Sequence, residues 1–343
     1  MTLTYSHFTA LGVTPRIAPE DVSRPRLSVI VPFLNEQENL PLLRQRLCAL
    51  TDLPEMHEFI FVSDGSTDQS VPFIERWAME DSRVKLIVFT RNFGHQAAVC
   101  AGLEFARGDY VAIIDADLQD PPELMLQMYD TARNEQLDVV YSVRERRDAT
   151  LVKRLSYRWF YRLYSYLAES PVQADSGDFS VLSRRAVNDL LAMPERVRFV
   201  RGLRSWLGLR GRPVSTTRPD RAAGRPQYSW SKLISLAVRG ITSFSTKPLR
   251  LATMGGLLLC TVALVVSTVY VGYWAFGSLH ERLPGFTTLV VMMLFLNGMQ
   301  FLIIGILGEY IGQIFTEVKQ RPLFVVDRTI NLATGLASTA DRT

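Results

Sequence analysis

Asp115 and Asp117 stand two residues apart, and the side-chain amide of Gln119 follows two residues later, in the stretch Ile113-Ile114-Asp115-Ala116-Asp117-Leu118-Gln119-Asp120. Carboxylate and amide oxygens are hard donors that suit Mg²⁺ or Mn²⁺ rather than zinc or copper. The apolar run 110–114 before them reads as a buried strand, so these donors gather at a strand's carboxyl end, where open α/β sheets place their ligands. The same residues also suit a turn that caps the helix after Pro121-Pro122. Asp64, in Ser63-Asp64-Gly65-Ser66-Thr67-Asp68, ends another apolar run on the same sheet edge, where its carboxylate can accept from a ring N–H of a base. Three carboxylates at neighbouring strand ends repel one another without a cation, which favours a shared nucleotide and metal pocket.

Such residues need a sheet to hold them. Apolar runs at 27–31, 58–62, 84–89, 110–114 and 138–141 alternate with helical patterns at 36–50, 67–79, 94–106 and 122–134. That order predicts an α/β domain with a mainly parallel sheet and helices on both faces. No G-x-x-x-x-G-K-[ST] loop is present, and the first strand-to-helix turn, Pro32-Phe33-Leu34-Asn35-Glu36, is not G-x-G-x-x-G. Any phosphate bound here therefore needs the cation at Asp115 and Asp117 for neutralisation.

The chain of 343 residues is 48% hydrophobic with a net charge of +4, which supports a sizeable core and does not indicate nucleic acid. Cys48, Cys100 and Cys260 are widely spaced, so neither a disulfide framework nor a zinc site is expected. Residues 251–276 and 283–308 carry no charge, and each run exceeds the roughly 20 residues that cross a bilayer core of about 30 Å. Lys247 and Arg250 precede the first run, while Lys319, Arg321 and Arg328 follow the second, so both flanks are expected on the cytoplasmic side. The expected plan is a leader at 1–26, a catalytic domain at 27–225 and a juxtamembrane amphipathic helix at 226–250. Spans at 251–276 and 286–312 follow, joined by a short link at 277–285, with a tail at 313–343. Within the domain, 151–169 reads as an interfacial helix: Leu151, Leu155, Trp159 and Leu163 recur at helical spacing beside Lys153, Arg154, Arg158 and Arg162.

Four stretches in order, Val31-Pro-Phe-Leu-Asn-Glu36, Ser63 to Asp68, Arg91-Asn-Phe-Gly-His-Gln96 and Asp115 to Asp120, resemble the inverting GT-A glycosyltransferases of family 2. More narrowly, the chain is similar to the polyprenyl-phosphate glycosyltransferases, through Ser176-Gly-Asp-Phe179, Ser243-Phe-Ser245, Gly308-Glu-Tyr-Ile-Gly312 and Lys319-Gln-Arg-Pro322. The resemblance covers about 27–326. It implies a Rossmann-like GT-A domain that moves a sugar from a nucleotide donor, most simply UDP-glucose, to undecaprenyl phosphate. It further implies a Mg²⁺ or Mn²⁺ ion on Asp117 and Gln119 with Asp115 nearby, and nucleotide contacts from Pro32, Asn35, Glu36, Asp64, Arg91 and Asp115. Asp178, with Asp175 second, is the candidate base beside the reacting carbon, and Arg201, Arg221 and Arg144 are candidate phosphate contacts. A phosphate monoester has a second pKa of about 6, which leaves Asp178 either to deprotonate the acceptor or to orient it. A homo-oligomer, tetrameric in the family, and a multi-pass location in a bacterial inner membrane with the catalytic domain cytoplasmic are also implied. Two departures stand out: Ser63 where many relatives have Asp, and Ser180 where relatives often have Arg. Arg184 or Arg185 is then a candidate substitute for that Arg. Other donors (UDP-galacturonate, a UDP-aminoarabinose derivative, GDP-mannose), a different acceptor, or a non-catalytic sugar-nucleotide sensor are the alternatives.

Overall fold

The computed structural model describes residues 24–144, 176–195, 199–216, 245–276 and 286–332. The expected interfacial helix at 151–169 and most of the juxtamembrane helix at 226–250 lie outside these residues. One eight-stranded mixed sheet organises the fold, built from β1 (Leu27–Phe33), β2 (His57–Ser63), β3 (Val84–Phe89), β4 (Tyr110–Ile113), β5 (Val139–Arg144), β6 (Ser176–Ser183), β7 (Gly211–Thr216) and β8 (Val326–Ile330). The strand order is β7-β5-β6-β4-β1-β2-β3-β8. β1 pairs in parallel with β2 and β4, β2 with β3, and β5 with β7, whereas β6 runs antiparallel to both β4 and β5. The helices are α1 (Leu40–Cys48), α2 (Ser70–Glu80), α3 (His95–Phe105), α4 (Pro122–Asn134), α5 (Arg184–Ala192), α6 (Val200–Trp206), α7 (Lys247–Phe276) and α8 (Phe286–Val318).

Alternation along the strands divides the core into two layers. Leu27, Val29, Val31, Phe59 and Phe61 face α1, α2 and α4, where they meet Leu43, Ile74, Trp77 and Met125. Ile30, Ile60, Val62 and Ile87 face the opposite side, against Val99 of α3, Val187 of α5 and Leu203 of α6. Fully buried side chains such as Phe61 and Ile30 each contribute about 1.5–3 kcal/mol. At the sheet edge away from the strands' carboxyl ends, Glu58 is buried with Ser28, Lys85 and the N–H of Arg107, so its charge is compensated.

The C-terminal segment departs from the expected plan. Beyond residue 312, where the sequence predicts a tail, α8 runs on to Val318 and the chain returns to the sheet as β8, antiparallel on β3. Phe324 stacks on Phe89 with ring centroids 5.0 Å apart, Arg328 pairs with Glu75 at 2.9 Å, and Asn331 donates to the carbonyls of Ala78 and Val84. β8 thereby covers an otherwise open β3 edge. α7 and α8 each contain a stretch, Lys247–Val265 and Phe295–Val318, long and apolar enough to cross a membrane, with no residue of those stretches buried. Tyr310 Oη donates to the Ser245 carbonyl at 2.6 Å, tying α8 to the residues that lead into α7. Asn297 donates to the carbonyl of Met293 in its own helix at 2.8 Å.

Candidate active site

Turns after the parallel strands lace together at the strands' carboxyl ends. Pro32 is buried inside β1, opposite Val62. Asn35, held at φ 54°, donates its N–H to Ser66 Oγ at 3.1 Å and accepts the Thr67 N–H on Oδ1 at 2.9 Å. The Glu36 N–H donates to Ser70 Oγ at 2.9 Å. Gly65, at φ 74°, lies so close to the next turn that a Cβ would fall 2.5 Å from the carbonyl carbon of Arg91. Arg91 is exposed, with its guanidinium 4.6 Å from the centroid of the Phe93 ring. Asp64 is buried, and its carboxylate is occupied by the turn after β3: Oδ1 accepts the N–H of Phe93 at 2.7 Å and Oδ2 that of Gly94 at 3.0 Å. Burial raises the Asp64 pKa above its ordinary value, against those two N–H groups and His95, which favour the charge.

The other half of the site lies where β4 and β6 run side by side. Ile113 pairs with Ser180 in this antiparallel ladder, and continuing the register by two residues sets Asp115 opposite Asp178. Strand pairing therefore brings together two carboxylates 63 positions apart in the chain. Asp117 lies in a tight turn in which its Oδ1 accepts the N–H of Gln119 at 3.1 Å, with Leu118 at φ 61°. His95 sits between the strand ends, with Nε2 3.4 Å from Asp178 Oδ2 and 3.7 Å from Asp115 Oδ1. Gln96 donates through Nε2 to Asp178 Oδ2 at 3.1 Å. Arg201 Nε stands 2.9 Å from Asp178 Oδ1, at an angle that makes the contact a charge pairing rather than an aligned hydrogen bond. Arg204 is buried, 4.9 Å over the Tyr141 ring, with Nη2 3.5 Å from the Gly177 carbonyl.

These surroundings decide the charge states. Burial would raise the Asp178 pKa, but the hydrogen bond from His95 and the charges of Arg201 and Arg204 outweigh it and hold the carboxyl below its ordinary value. Burial would lower the His95 pKa, yet Asp178 and Asp115 together raise it. Burial pulls Arg204 down to about 10 despite the nearby Asp178. An ionised, cation-flanked Asp178 is a weak base and a strong anchor.

Of the remaining expected site residues, Asp175 and Arg221 lie outside the described residues. Arg144 is described in its backbone alone, which pairs with Thr216. Neither proposed substitute for the missing Arg reaches Asp178: Arg184 donates to the Gly108 carbonyl before β4, at the opposite sheet edge, and Arg185 is exposed beside Asp189. Residue type and spacing alone give no role to His95, Gln96 or Arg204, although the first two stand in the 91–96 stretch. A cavity of about 440 Å³, lined by Ser66, Asp68, Thr90 and Arg328 among others, lies at β2, β3 and β8, strands away from Asp115 and Asp178.

The family model described as glycosyl transferase family 2 matches residues 28–191. An uncharacterised glycosyltransferase of Bacillus subtilis, YkcC, is 38% identical over 307 residues, spanning 89% of this chain and 94% of the relative. The chain belongs to glycosyl transferase family 2. Two further relatives are the SfII prophage-derived bactoprenol glucosyl transferase of Shigella flexneri, 36% identical over 89% of this chain and 98% of its own, and a prophage bactoprenol glucosyl transferase homologue of Escherichia coli, 36% identical over 88% and 99%. A crystal structure of Staphylococcus aureus TarS aligns at a TM-score of 0.43 and 18% identity over 64% of each chain, a distant likeness.

For a family 2 glycosyltransferase the expected cation must fit the donors present. Among the described residues no three His, Cys, Asp or Glu side chains converge into a protein cage. Asp115, Asp117 and the Gln119 amide instead offer oxygen from one turn. That set suits a Mg²⁺-like ion held by one or two carboxylates and completed by water and substrate phosphates.

Proposed function

We propose that this glycosyltransferase moves a hexose from a UDP-sugar, with UDP-glucose the first candidate, to polyprenyl phosphate at a membrane surface, with inversion at the anomeric carbon. The observation that carries this reading is the side-by-side placement of Asp115 and Asp178, bridged by His95 and flanked by Arg201. A donor diphosphate beside Asp115 and Asp117 and an acceptor phosphate beside Arg201 would then meet across one pair of strands. The bactoprenol glucosyl transferases among the relatives and the two apolar helices support a lipid acceptor.

In this reading the acceptor needs little deprotonation, because a phosphate monoester is largely dianionic at neutral pH, with a second pKa of about 6. Arg201 offers a planar cationic group to that phosphate, and Asp178 holds Arg201 in place. The acceptor oxygen attacks from the face opposite the departing nucleoside diphosphate. Asp115, Asp117 and Gln119 would hold a divalent cation that offsets charge on the leaving group. Holding both substrates at one edge supplies the advantage of proximity.

The test is nucleoside diphosphate release by the full chain in detergent across a panel of UDP-sugars, with and without undecaprenyl phosphate, in Mn²⁺ or in EDTA. Release with one sugar that requires both lipid and metal is expected. Release indifferent to lipid would overturn the acceptor, and release undiminished in EDTA would overturn the metal role.

A further inference from the structure

We propose that His95 and Gln96 are positioning residues that hold Asp178 against Asp115, and that Asp64 sets both of them through the backbone of residues 93 and 94. This deepens the transferase reading above and rests on it, and it gives Asp64 a task other than meeting a nucleobase.

The geometry forms one continuous linkage. Asp64 leaves the end of β2 and takes the N–H groups of Phe93 and Gly94, which fixes the last turn before α3. Gly94 stands at φ 104°, a conformation that an L side chain rarely adopts, so the turn is a specialised one that places His95 at the first position of α3. The His95 ring then reaches both Asp178 on β6 and Asp115 after β4. Gln96 uses both ends of its amide: Nε2 donates to Asp178, and Oε1 accepts the N–H of Val200, the first residue of α6, at 3.0 Å. α6 carries Arg201, which pairs with the other oxygen of Asp178. Two successive residues at the start of α3 therefore link the acceptor-side carboxylate, the donor-side carboxylate and the helix that supplies the arginine. Chemistry between two bound substrates tolerates misplacement of the groups around them poorly: about 1 Å can cost roughly 100-fold in rate. With both carboxylate oxygens of Asp64 engaged by backbone N–H, loss of that carboxylate frees the turn first and the clamp with it.

Two measurements on the full chain in detergent decide the matter. The first is hydrogen exchange without substrate, comparing wild type with Asp64→Ala. Faster exchange is expected in the peptide over 93–96 and also at the Val200 amide, with α4 unchanged. Faster exchange at 93–94 with Val200 protected as in wild type would overturn the linkage. Should Asp64→Ala exchange throughout the chain, Asp64→Asn, which keeps the shape and one acceptor oxygen, carries the same comparison.

The second measurement is steady-state kinetics. His95→Asn and Asp64→Asn should each lower kcat by roughly 10- to 100-fold with donor KM within about threefold, and the double variant should be no slower than the slower single one. His95→Gln, whose amide can donate to Asp178, should recover part of the rate. A raised donor KM with unchanged kcat in Asp64→Asn, or losses that multiply in the double variant, would overturn the proposal. Absence of transfer by the wild type with every donor and lipid would refute the transferase reading alone, because the exchange comparison still decides the clamp.

Discussion

Replacing Asp178 by Asn removes one negative charge from a place where Arg201, Arg204 and His95 all depend on it. Removing one partner of a fully buried pair costs about 3–5 kcal/mol, because the other charge is left without compensation. Here the Arg201 side chain is 32% exposed and that of His95 42%, so water takes up part of the loss, whereas Arg204 is 7% exposed and gains little. A destabilisation of about 2–3 kcal/mol follows. For a catalytic part of this size that corresponds to a fall in Tm of roughly 4–12 °C. Arg201→Gln should cost less, since Asp178 keeps His95 and Gln96 as partners. Because both changes break the same pair, the double variant should be more stable than the summed losses by about 1 kcal/mol. Thermal unfolding of the purified chain in one detergent, for the two single variants and the double, measures all three values. Asp178→Asn melting with the wild type, or strictly additive losses, would refute the account of this centre.

Gly65→Ala should push the Arg91–Asn92 backbone away and cost about 2–4 kcal/mol by chemical denaturation, with donor turnover falling alongside. Stopping the chain after Pro322 removes β8 with the Phe324–Phe89 stack and the Arg328–Glu75 pair; size exclusion should then show aggregation through the bared β3 edge. The raised His95 pKa contributes stability that is fully present below the ordinary value of 6.5 and is lost as pH rises through the folded value. The wild type should therefore lose stability over that window relative to His95→Asn, and parallel pH profiles of the two would contradict the contact with Asp178.

The first five strands and four helices were legible because they repeat the pattern that a three-layer sheet demands: short apolar runs, then amphipathic helices. The strand ends at Asp64 and Asp115 followed from the same pattern. β6 was hidden by its composition, since Ser-Gly-Asp-Phe-Ser-Val-Leu-Ser alternates weakly and carries its acid inside the sheet. β7, with Pro213, and β8, with Asp327 and Arg328, have the polar look of edge strands, and only long-range pairing reveals them. His95 and Gln96 stood in a stretch already singled out, but a role for them requires knowing that β6 runs antiparallel beside β4 and brings Asp178 to Asp115. The strand-end position of Asp64 was legible, but it does not reveal that the turn after β3 folds back onto its carboxylate.

The most direct test of the central claim is single-turnover transfer of radiolabelled glucose from UDP-glucose into undecaprenyl phosphate, read as label partitioning into the organic phase, for the wild type and Asp117→Asn. The wild type should move label into the lipid, and Asp117→Asn, although folded, should not. Label that stays in the aqueous phase with the wild type, or equal transfer by Asp117→Asn, would contradict it.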